Sequence, residues 1–392
     1  MTAPVRATSI DAYRGFVMFL MLAEVLHLPG VAKQFPENGF WRTVLFHTTH
    51  VEWRGCSLHD LIQPSFSFLV GAALAFSVAK RRALGQSLGR ASLHAAWRAF
   101  ALIALGIVLR SVGRPQTNFT FEDTLTQIGL GYFPLFLLAW ARPTRPAWHT
   151  LSIALILVTY WGVFVMYEAD GPASRARELP TWPHHLTGFE EHWEKNDNYA
   201  SGFDEMFVNR FSRPVRFKPN RGGYATLSFV PTLATMLLGL MAGGWLRELR
   251  SEWRKVGLFA IIGAALLLGG WAFDAAGVGP IVKRIWTPTW VLFSGGWCFL
   301  LLALFHAATD AVGYRGWSIP LRVIGANSIL IYCVAEVPIA AFLIGTVNTH
   351  FGAKAFQIFG AQAVPVVAGA TVLAIYWLGL WWLYAKRVFV RI

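Results

Sequence analysis

The stretch from His50 to Gly71 places ionisable side chains directly before an apolar segment of membrane length. An imidazole titrates near neutrality, so His50 could act as a general base, carry an acyl group, or be an interfacial histidine with no chemical role. Asp60, ten residues later, could orient that imidazole or cap the following helix. His47 and His59 are alternatives to His50, because the first lies three residues before it and the second adjoins Asp60.

The composition defines the class of protein that carries these residues. The chain has 392 residues, of which 55% are hydrophobic and 14% are charged. A soluble domain carries about 25% charged residues, so we predict an all-α polytopic membrane protein. The net charge of +13 comes from Lys and Arg in short clusters between apolar runs. That pattern is typical of anchors at lipid headgroups and argues against nucleic-acid binding.

Ten apolar runs predict about ten transmembrane helices. An even number puts both termini on one side, and the Lys and Arg of the short loops place that side in the cytoplasm. The first run lacks a cleavage site, so we expect an uncleaved span rather than a signal peptide. We expect residues 1–392 to form a single membrane domain with an extracytoplasmic insertion at about 168–224. The predicted spans are 13–28, 61–79, 93–112, 125–141, 150–167, 226–246, 256–275, 289–309, 323–346 and 362–385.

Several polar or aromatic side chains lie inside or beside these runs. Each has an ordinary explanation as an interfacial anchor or a hydrogen bond between helices, and an alternative as the lining of a polar cavity. Arg14 follows Asp11 by three residues, so it could pair with that carboxylate or meet a phosphate. The others are Glu24, Trp53, Gln127, Lys283, Trp286, Asn327, Ser328 and Glu336.

The cysteines give no sign of a disulfide framework or a metal site. Cys56, Cys298 and Cys333 form an odd, widely spaced set without the spacing of metal ligands. Cys298 and Cys333 lie inside apolar runs, where cysteine behaves as a small core residue. We therefore expect no bound metal.

Six segments of the chain together resemble one family of membrane enzymes. In chain order they are SIDAYRG at 9–15, HVEWRGCSLHDLIQPSFSFLVG at 50–71, LTQIGLGY at 125–132, GGYATLSFVPTLATMLLGLMAG at 222–243, KRIWTPTW at 283–290 and GANSILIY at 325–332. They are similar, in the same order, to the transmembrane acyltransferases of the heparan-α-glucosaminide N-acetyltransferase family and its bacterial relatives.

This resemblance implies both a function and a site. The family transfers an acetyl group from cytosolic acetyl-CoA, across the membrane, to the amine of a terminal glucosamine on the other side. The resemblance puts the family's active-site histidine at His50 and the aspartate of its Asp-Leu-x-x-Pro motif at Asp60. It also implies ten core spans and a homodimer. We expect the protein to lie among the lipids of a bacterial inner membrane.

The chain departs from the family at two positions. Glu24 stands about where lysosomal members carry an Asn near the outer end of the first core span. The family's Leu-Gln-Arg corresponds here to Thr126-Gln127-Ile128, without the arginine. We also expect no counterpart of the large soluble N-terminal domain. These departures leave the identity of the acceptor open.

The expected activity is therefore that of an acyltransferase with acetyl-CoA as co-substrate and His50 as acyl acceptor or general base. Cations at the inner mouth would meet the CoA phosphates, namely Arg14, Lys80, Arg81 or Arg82. Trp53, Gln127, Trp286, Asn327 and Ser328 are candidates for lining the tunnel or polarising the thioester. The alternatives are an O-acyltransferase for another glycan or lipid-linked sugar, and a polytopic transporter without chemistry.

The insertion at 168–224 is expected to select the acceptor. It combines aromatic, amide and charged side chains, which are the groups that stack on sugars and hydrogen-bond with their hydroxyls. Its candidate contacts are Trp182, Trp193, Asn196, Asn198, Asp204 and Arg210.

Overall fold

The computed structural model describes residues 7–142, 145–168, 182–219, 222–352 and 354–390. Part of the predicted insertion, at 169–181 and 220–221, lies outside the described residues. The described residues form α-helices and short 3-10 or π turns, with one isolated antiparallel bridge between Arg54 and Val282. The helices are α1 Thr8–Leu22, α2 Leu28–Ala32, α3 Gly39–His47, α4 Ile62–Ala83, α5 Leu88–Ser111, α6 Thr124–Ala141, α7 Pro146–Val165, α8 Tyr199–Val208, α9 Phe229–Glu248, α10 Glu252–Ala275, α11 Pro288–His306, α12 Ile319–Ala326, α13 Ser328–Glu336, α14 Ile339–Phe351 and α15 Val364–Ala385.

Eight helical segments of the described chain are long and apolar enough to cross a membrane, or nine if the bent pair α12–α13 is one span. The eight agree with predicted runs to within a few residues. They are His59–Ala83, Leu88–Ser111, Thr124–Ala141, Pro146–Val165, Thr226–Glu248, Glu252–Ala275, Pro288–Ala311 and Ala361–Ala385. The prediction of an all-α protein with many apolar helices is confirmed, whereas the number ten stays a prediction.

The two remaining predicted spans have a different form. The run at 13–28 is α1, which has 15 residues, followed by a 3-10 turn at Ala23–Leu26 and by His27 in the left-handed region. The run at 323–346 is broken twice. Its helices α12 and α13 meet at Asn327 with a bend of 63°. Pro338 then separates α13 from α14, because proline cannot continue the hydrogen-bond pattern of a helix.

The described residues divide into two compact units. The first comprises 52–55 and 63–303 and therefore most of α4 to α11. The second comprises 7–51, 56–62 and 304–392, which holds α1–α3 and α12–α15. The expectation of a single domain over 1–392 stays a prediction.

Close helix contacts through glycine organise the first unit. A Cβ atom added to Gly239 of α9 would overlap the carbonyl oxygen of Phe68 in α4, and one added to Gly71 of α4 would overlap that of Met236 in α9. Gly263 of α10 similarly lies against the carbonyl of Gly296 in α11. Small residues let helix backbones approach in this way, which is the usual basis of helix packing in membranes.

The connections at one end of the first unit pack together, and we call them the cap (residues 112–123, 182–219, 222–228 and 276–287). The helices alternate in direction, so these connections all follow or precede helix ends on the same side. Tyr160 donates to the carbonyl of Ile285 over 2.8 Å, and Trp161 donates to that of Val278 over 2.8 Å. An apolar core that includes Phe164, Leu186 and Trp193 fills the cap.

In the second unit, α1 packs against α12 and α13. A Cβ atom on Gly15 of α1 would overlap the carbonyl of Leu321 in α12. The first turn of α1 is held by Asp310, whose carboxylate accepts from the Ser9 amide over 2.9 Å. The buried Ser9 hydroxyl lies 3.0 Å from Nδ1 of His306, so these polar groups satisfy one another.

We predict that Gly239→Ala destabilises the protein strongly, because the new methyl group would meet the Phe68 backbone, which cannot move without shifting α4. Such overpacking costs about 1–3 kcal/mol or more. The matched control is Gly244→Ala on the same helix, where no atom lies within 4 Å of the added Cβ. Thermal unfolding of both detergent-purified variants measures the difference, and equal midpoints would contradict the proposed packing.

Candidate functional site

The loop between α3 and α4 forms the candidate site and belongs to the second unit, except for residues 52–55. Helix α3 ends at His47, where the hydroxyls of Thr48 and Thr49 donate back to carbonyls of the last turn, each over 2.7 Å. The chain returns through a 3-10 turn at His59–Leu61 that continues into α4. The loop therefore brings residues 49–51 next to residues 57–60.

The Asp60 carboxylate is the centre of this loop and is 1% exposed. Its Oδ2 accepts from the Val51 amide over 3.2 Å and from the Ser57 amide over 3.1 Å. The Ser57 hydroxyl lies 3.0 Å from the same oxygen and 2.7 Å from the carbonyl of Thr49. Asp60 therefore accepts from backbone amides that precede it in the chain, and these bonds hold the two strands of the loop together.

The second carboxylate oxygen of Asp60 orients His50. Its Oδ1 lies 2.8 Å from Nδ1 of His50. A carboxylate at this distance accepts a proton-bearing nitrogen, so Nδ1 carries the hydrogen and Nε2 is left with the lone pair. The imidazole side chain is 37% exposed, although its carboxylate partner is fully buried. This arrangement suits a base or a nucleophile that acts through Nε2.

The two competing histidines have other partners in the same unit. The His47 Nδ1 accepts from the Leu58 amide over 3.3 Å, which ties the end of α3 to the returning strand of the loop. The His59 ring centre lies 4.4 Å from that of His50, and its Nε2 lies 3.4 Å from a carboxylate oxygen of Glu24. Glu24 thus lies next to the His50–Asp60 pair through His59.

Three further predicted site residues lie in the second unit. The Arg14 guanidinium pairs with Asp11 over 3.4 Å, as the spacing predicts. Asn327 is buried at the bend, where its amide donates to the carbonyl of Val388 and accepts from the amide of Val390. This side chain therefore anchors the segment that follows α15. Ser328 is half-buried at the start of α13.

The other four predicted site residues lie in the first unit. Trp53 is 1% exposed, and its indole donates to the carbonyl of Trp193 over 3.1 Å. Trp286 is equally buried and donates to the Thr235 hydroxyl over 3.1 Å. Lys283 is buried as well. Both indoles are part of the packed interior of this unit.

Gln127 joins two segments of the cap to α6. Its side-chain nitrogen donates to the carbonyls of Phe121, Ala225 and Thr226 over 2.7, 3.3 and 3.1 Å. These bonds use the amide to hold the start of α6 beside the start of α9. The contacts favour a packing role for Gln127 over the role of tunnel lining.

Two residues of the insertion that were expected to contact a sugar have structural positions instead. Trp193 is 0% exposed in the core of the cap, so its ring is not available as a stacking surface. Asn198 forms a capping box at the start of α8 and accepts from the amides of Ala200 and Ser201. The sequence does not show these positions, because an insertion of mixed composition does not reveal which of its side chains form a core.

Asp204 stands out in the insertion for a reason that the sequence does not show. It is 3% exposed, and its Oδ2 accepts from the Thr226 amide over 2.9 Å. Burial raises the pKa of this carboxyl to about 6, while hydrogen bonding from Thr226 and the charge of Arg213 act in the opposite direction. Within the described chain, no group of three His, Cys, Asp or Glu side chains could hold a metal.

The comparison with known proteins finds relatives over most of the chain. No family model matches the chain. The chain is 21% identical over 373 residues to the heparan-α-glucosaminide N-acetyltransferase of Homo sapiens. It is 20% identical over 371 residues to the Mus musculus protein of the same name. Each match covers 85% of this chain.

The chain is a distant relative of the heparan-α-glucosaminide N-acetyltransferases. The relationship that the six segments suggested is therefore confirmed, and with its apolar helices the chain is a multi-pass membrane protein. It spans about half the length of these N-acetyltransferases, since the matches cover 53% of each relative.

We predict that Asp60→Asn changes the tautomer of His50. The amides of Val51 and Ser57 require an acceptor, so the new carbonyl oxygen faces them and the new NH₂ group faces His50. Nδ1 must then accept, which moves the ring proton to Nε2. Nitrogen NMR of labelled histidine would detect this change in the His50 signals.

The matched control is Glu52→Gln, because Glu52 lies in the same loop but pairs with His184. It should leave the His50 signals unchanged. An unaltered His50 tautomer in folded Asp60→Asn would show that Asp60 does not orient this ring.

Proposed function

We propose that the protein is a transmembrane acetyltransferase that moves an acetyl group from cytosolic acetyl-CoA to the amine of a glucosamine-like sugar on the extracytoplasmic side. The observation that carries the proposal is the His50 imidazole held by the buried Asp60 carboxylate over 2.8 Å. The N-acetyltransferase relatives supply the reaction class. The site supplies a base or nucleophile of the required kind.

In the direct route, the amine nitrogen of the acceptor attacks the thioester carbonyl carbon. Nε2 of His50 takes the proton that the nitrogen loses, and Asp60 stabilises the resulting imidazolium through Nδ1. The carbon–sulfur bond then breaks, and the same proton passes to the CoA thiolate. The products are the N-acetylated sugar and free CoA.

In the covalent route, Nε2 attacks the thioester carbonyl carbon, the carbon–sulfur bond breaks, and CoA leaves as the thiolate while the imidazolium holds the acetyl group. The acceptor amine then attacks the acetyl carbon, the bond to Nε2 breaks, and the proton that the amine loses passes through Nε2 to the thiolate. The exposed imidazole and its fixed tautomer support either route. Rapid quenching with radiolabelled acetyl-CoA and no acceptor distinguishes them, since only the covalent route leaves label on the protein.

The CoA phosphates would bind at the opposite end of α4 from this site. The helix has 22 residues and carries Lys80, Arg81 and Arg82 in its last turn. Its length is about 33 Å at 1.5 Å per residue, which is the thickness of a hydrocarbon core. Arg82 donates to the carbonyl of Trp140 and lies over its ring. This arrangement leaves the exposed Lys80 as a partner for phosphate.

The proposal includes a topology. Ten spans with both termini in the cytoplasm of a bacterial inner membrane would place His50 and the insertion outside and Lys80–Arg82 inside. One membrane domain would carry the whole reaction, surrounded by lipid and assembled as a homodimer. The cap then forms the extracytoplasmic face of the first unit.

We predict that His50→Ala abolishes acetyl transfer and leaves the protein folded with a lower unfolding temperature. The buried Asp60 loses the partner of its Oδ1, but water can reach the position of the 37% exposed imidazole. Loss of a general base or nucleophile typically costs about 100-fold or more. The rate at which N-acetylglucosamine forms from acetyl-CoA and glucosamine measures this loss of activity. His47→Ala is the control and should lower the transfer rate much less, since the His47 ring accepts a hydrogen bond from the Leu58 amide of the loop. If His50→Ala kept more than about a tenth of the wild-type rate, His50 would not be the base or nucleophile of the reaction.

We predict that a cysteine replacing Val215 reacts with an impermeant maleimide added to intact cells. Val215 lies in the insertion and is 77% exposed. A cysteine replacing Leu84, which is 74% exposed after α4, should react only after the cells are opened. The protein without either substitution corrects for its own cysteines. The reverse pattern would invert the topology and place His50 in the cytoplasm.

A further inference from the structure

The first unit contains a small polar pocket that the proposed chemistry does not use. Between α8 and the segment that leads into α9, it has room for about 10 Å³, which is about one water-sized group, and it opens to solvent. Asp204 and Asn196 contribute polar side chains, Phe217 and Tyr224 contribute aromatic ones, and Gly223 contributes backbone. All of these residues belong to the cap.

Asp204 is the unusual member of this lining. Its Oδ2 is satisfied by the Thr226 amide, but its buried Oδ1 has no hydrogen-bond partner among the residues that the structure describes. Leaving a buried charged acceptor unsatisfied is costly, and such atoms in native proteins usually have a functional explanation. The raised pKa of this carboxyl has the same physical origin.

The surroundings define what could satisfy that oxygen. Arg213 acts on Asp204 through its charge, but its own guanidinium is committed to the carbonyls of Val208 and Phe119. The Arg284 guanidinium donates to the carbonyl of Gly222 over 2.6 Å and lies 5.1 Å from the centre of the Tyr224 ring. These cations hold the walls of the pocket in place. A neutral hydrogen-bond donor from outside therefore fits Oδ1 better than another cation.

Aromatic side chains beside a carboxylate acceptor are the groups that bind a sugar. The ring faces pack on the C–H surface of the sugar, and the carboxylate accepts from its hydroxyls in strong, charge-assisted hydrogen bonds. A volume of about 10 Å³ admits a single hydroxyl group and leaves the rest of the sugar outside the pocket. Gly223, one wall of the pocket, packs against the buried Trp53 of the same unit.

We propose that this pocket binds a hydroxyl-bearing edge of the sugar acceptor and that Oδ1 of Asp204 accepts a hydrogen bond from that hydroxyl. The proposal rests on the acetyltransferase function given above and adds a specificity-determining site to it. Asp204 takes no part in the chemistry and acts only on acceptor binding.

The test compares Asp204→Asn with Glu205→Gln. Asn can still accept from the Thr226 amide, so the fold is preserved while the charged acceptor is lost. Glu205 is the next residue of the same helix and pairs with Arg216 outside the pocket lining. Asp204→Asn should raise KM for glucosamine about 10-fold or more and leave kcat and KM for acetyl-CoA unchanged, because charge-assisted bonds are the strong ones. Glu205→Gln should leave all three constants unchanged.

A second variant and a binding measurement keep the test independent of activity. Phe217→Ala removes an aromatic wall without changing Asp204 and should also raise KM for glucosamine alone. N-acetylglucosamine without acetyl-CoA should raise the unfolding temperature of wild type and of His50→Ala, but not that of Asp204→Asn.

Asp204→Asn could show a normal KM for glucosamine and the same stabilisation by sugar as wild type. These two results together would overturn the proposed pocket and leave the proposed acetyl transfer unaffected. Absence of transfer by wild type would overturn the proposed function, and the stabilisation by sugar would still decide whether the pocket binds it.

Discussion

The buried charge of Asp60 is the constraint on which the candidate site depends. A carboxylate removed from water is tolerated only where hydrogen bonds replace its hydration. Here the amides of Val51 and Ser57 satisfy one oxygen, and the His50 ring satisfies the other. The same bonds close the loop and fix the tautomer of the imidazole. The stability of the loop and the chemistry of His50 therefore have a single cause.

The cap depends on a second constraint, which is the burial of large aromatic side chains outside the membrane-spanning helices. Trp53 and Trp193 are joined by a hydrogen bond and share a core with Phe164 and Leu186. The segment that contains Trp53 is bounded on both sides by residues of the candidate loop. The insertion therefore packs on residues 52–55 of the same unit, although the two elements are far apart in sequence.

The sequence predicted the parts of the fold that periodic, local patterns encode. Eight apolar runs became helices of membrane length, and the His50–Asp60 pair formed as its motif indicated. The break at Asn327 was missed because it depends on backbone groups of Val388 and Val390, about 60 residues later. Trp193 was misjudged because only the folded cap shows which indoles are buried. Asp204 carried no local signal, since an acid in a polar insertion becomes unusual only when its neighbours exclude water.

The two buried aspartates show how hydrogen bonding distinguishes the roles of similar groups. The Asp60 carboxylate accepts from Val51 and Ser57 and lies against the His50 ring, so this carboxylate positions an imidazole. Asp204 is nearly as buried, but it faces a pocket with one oxygen unsatisfied within the described chain. A folded protein that maintains this arrangement loses stability unless another molecule supplies the missing donor.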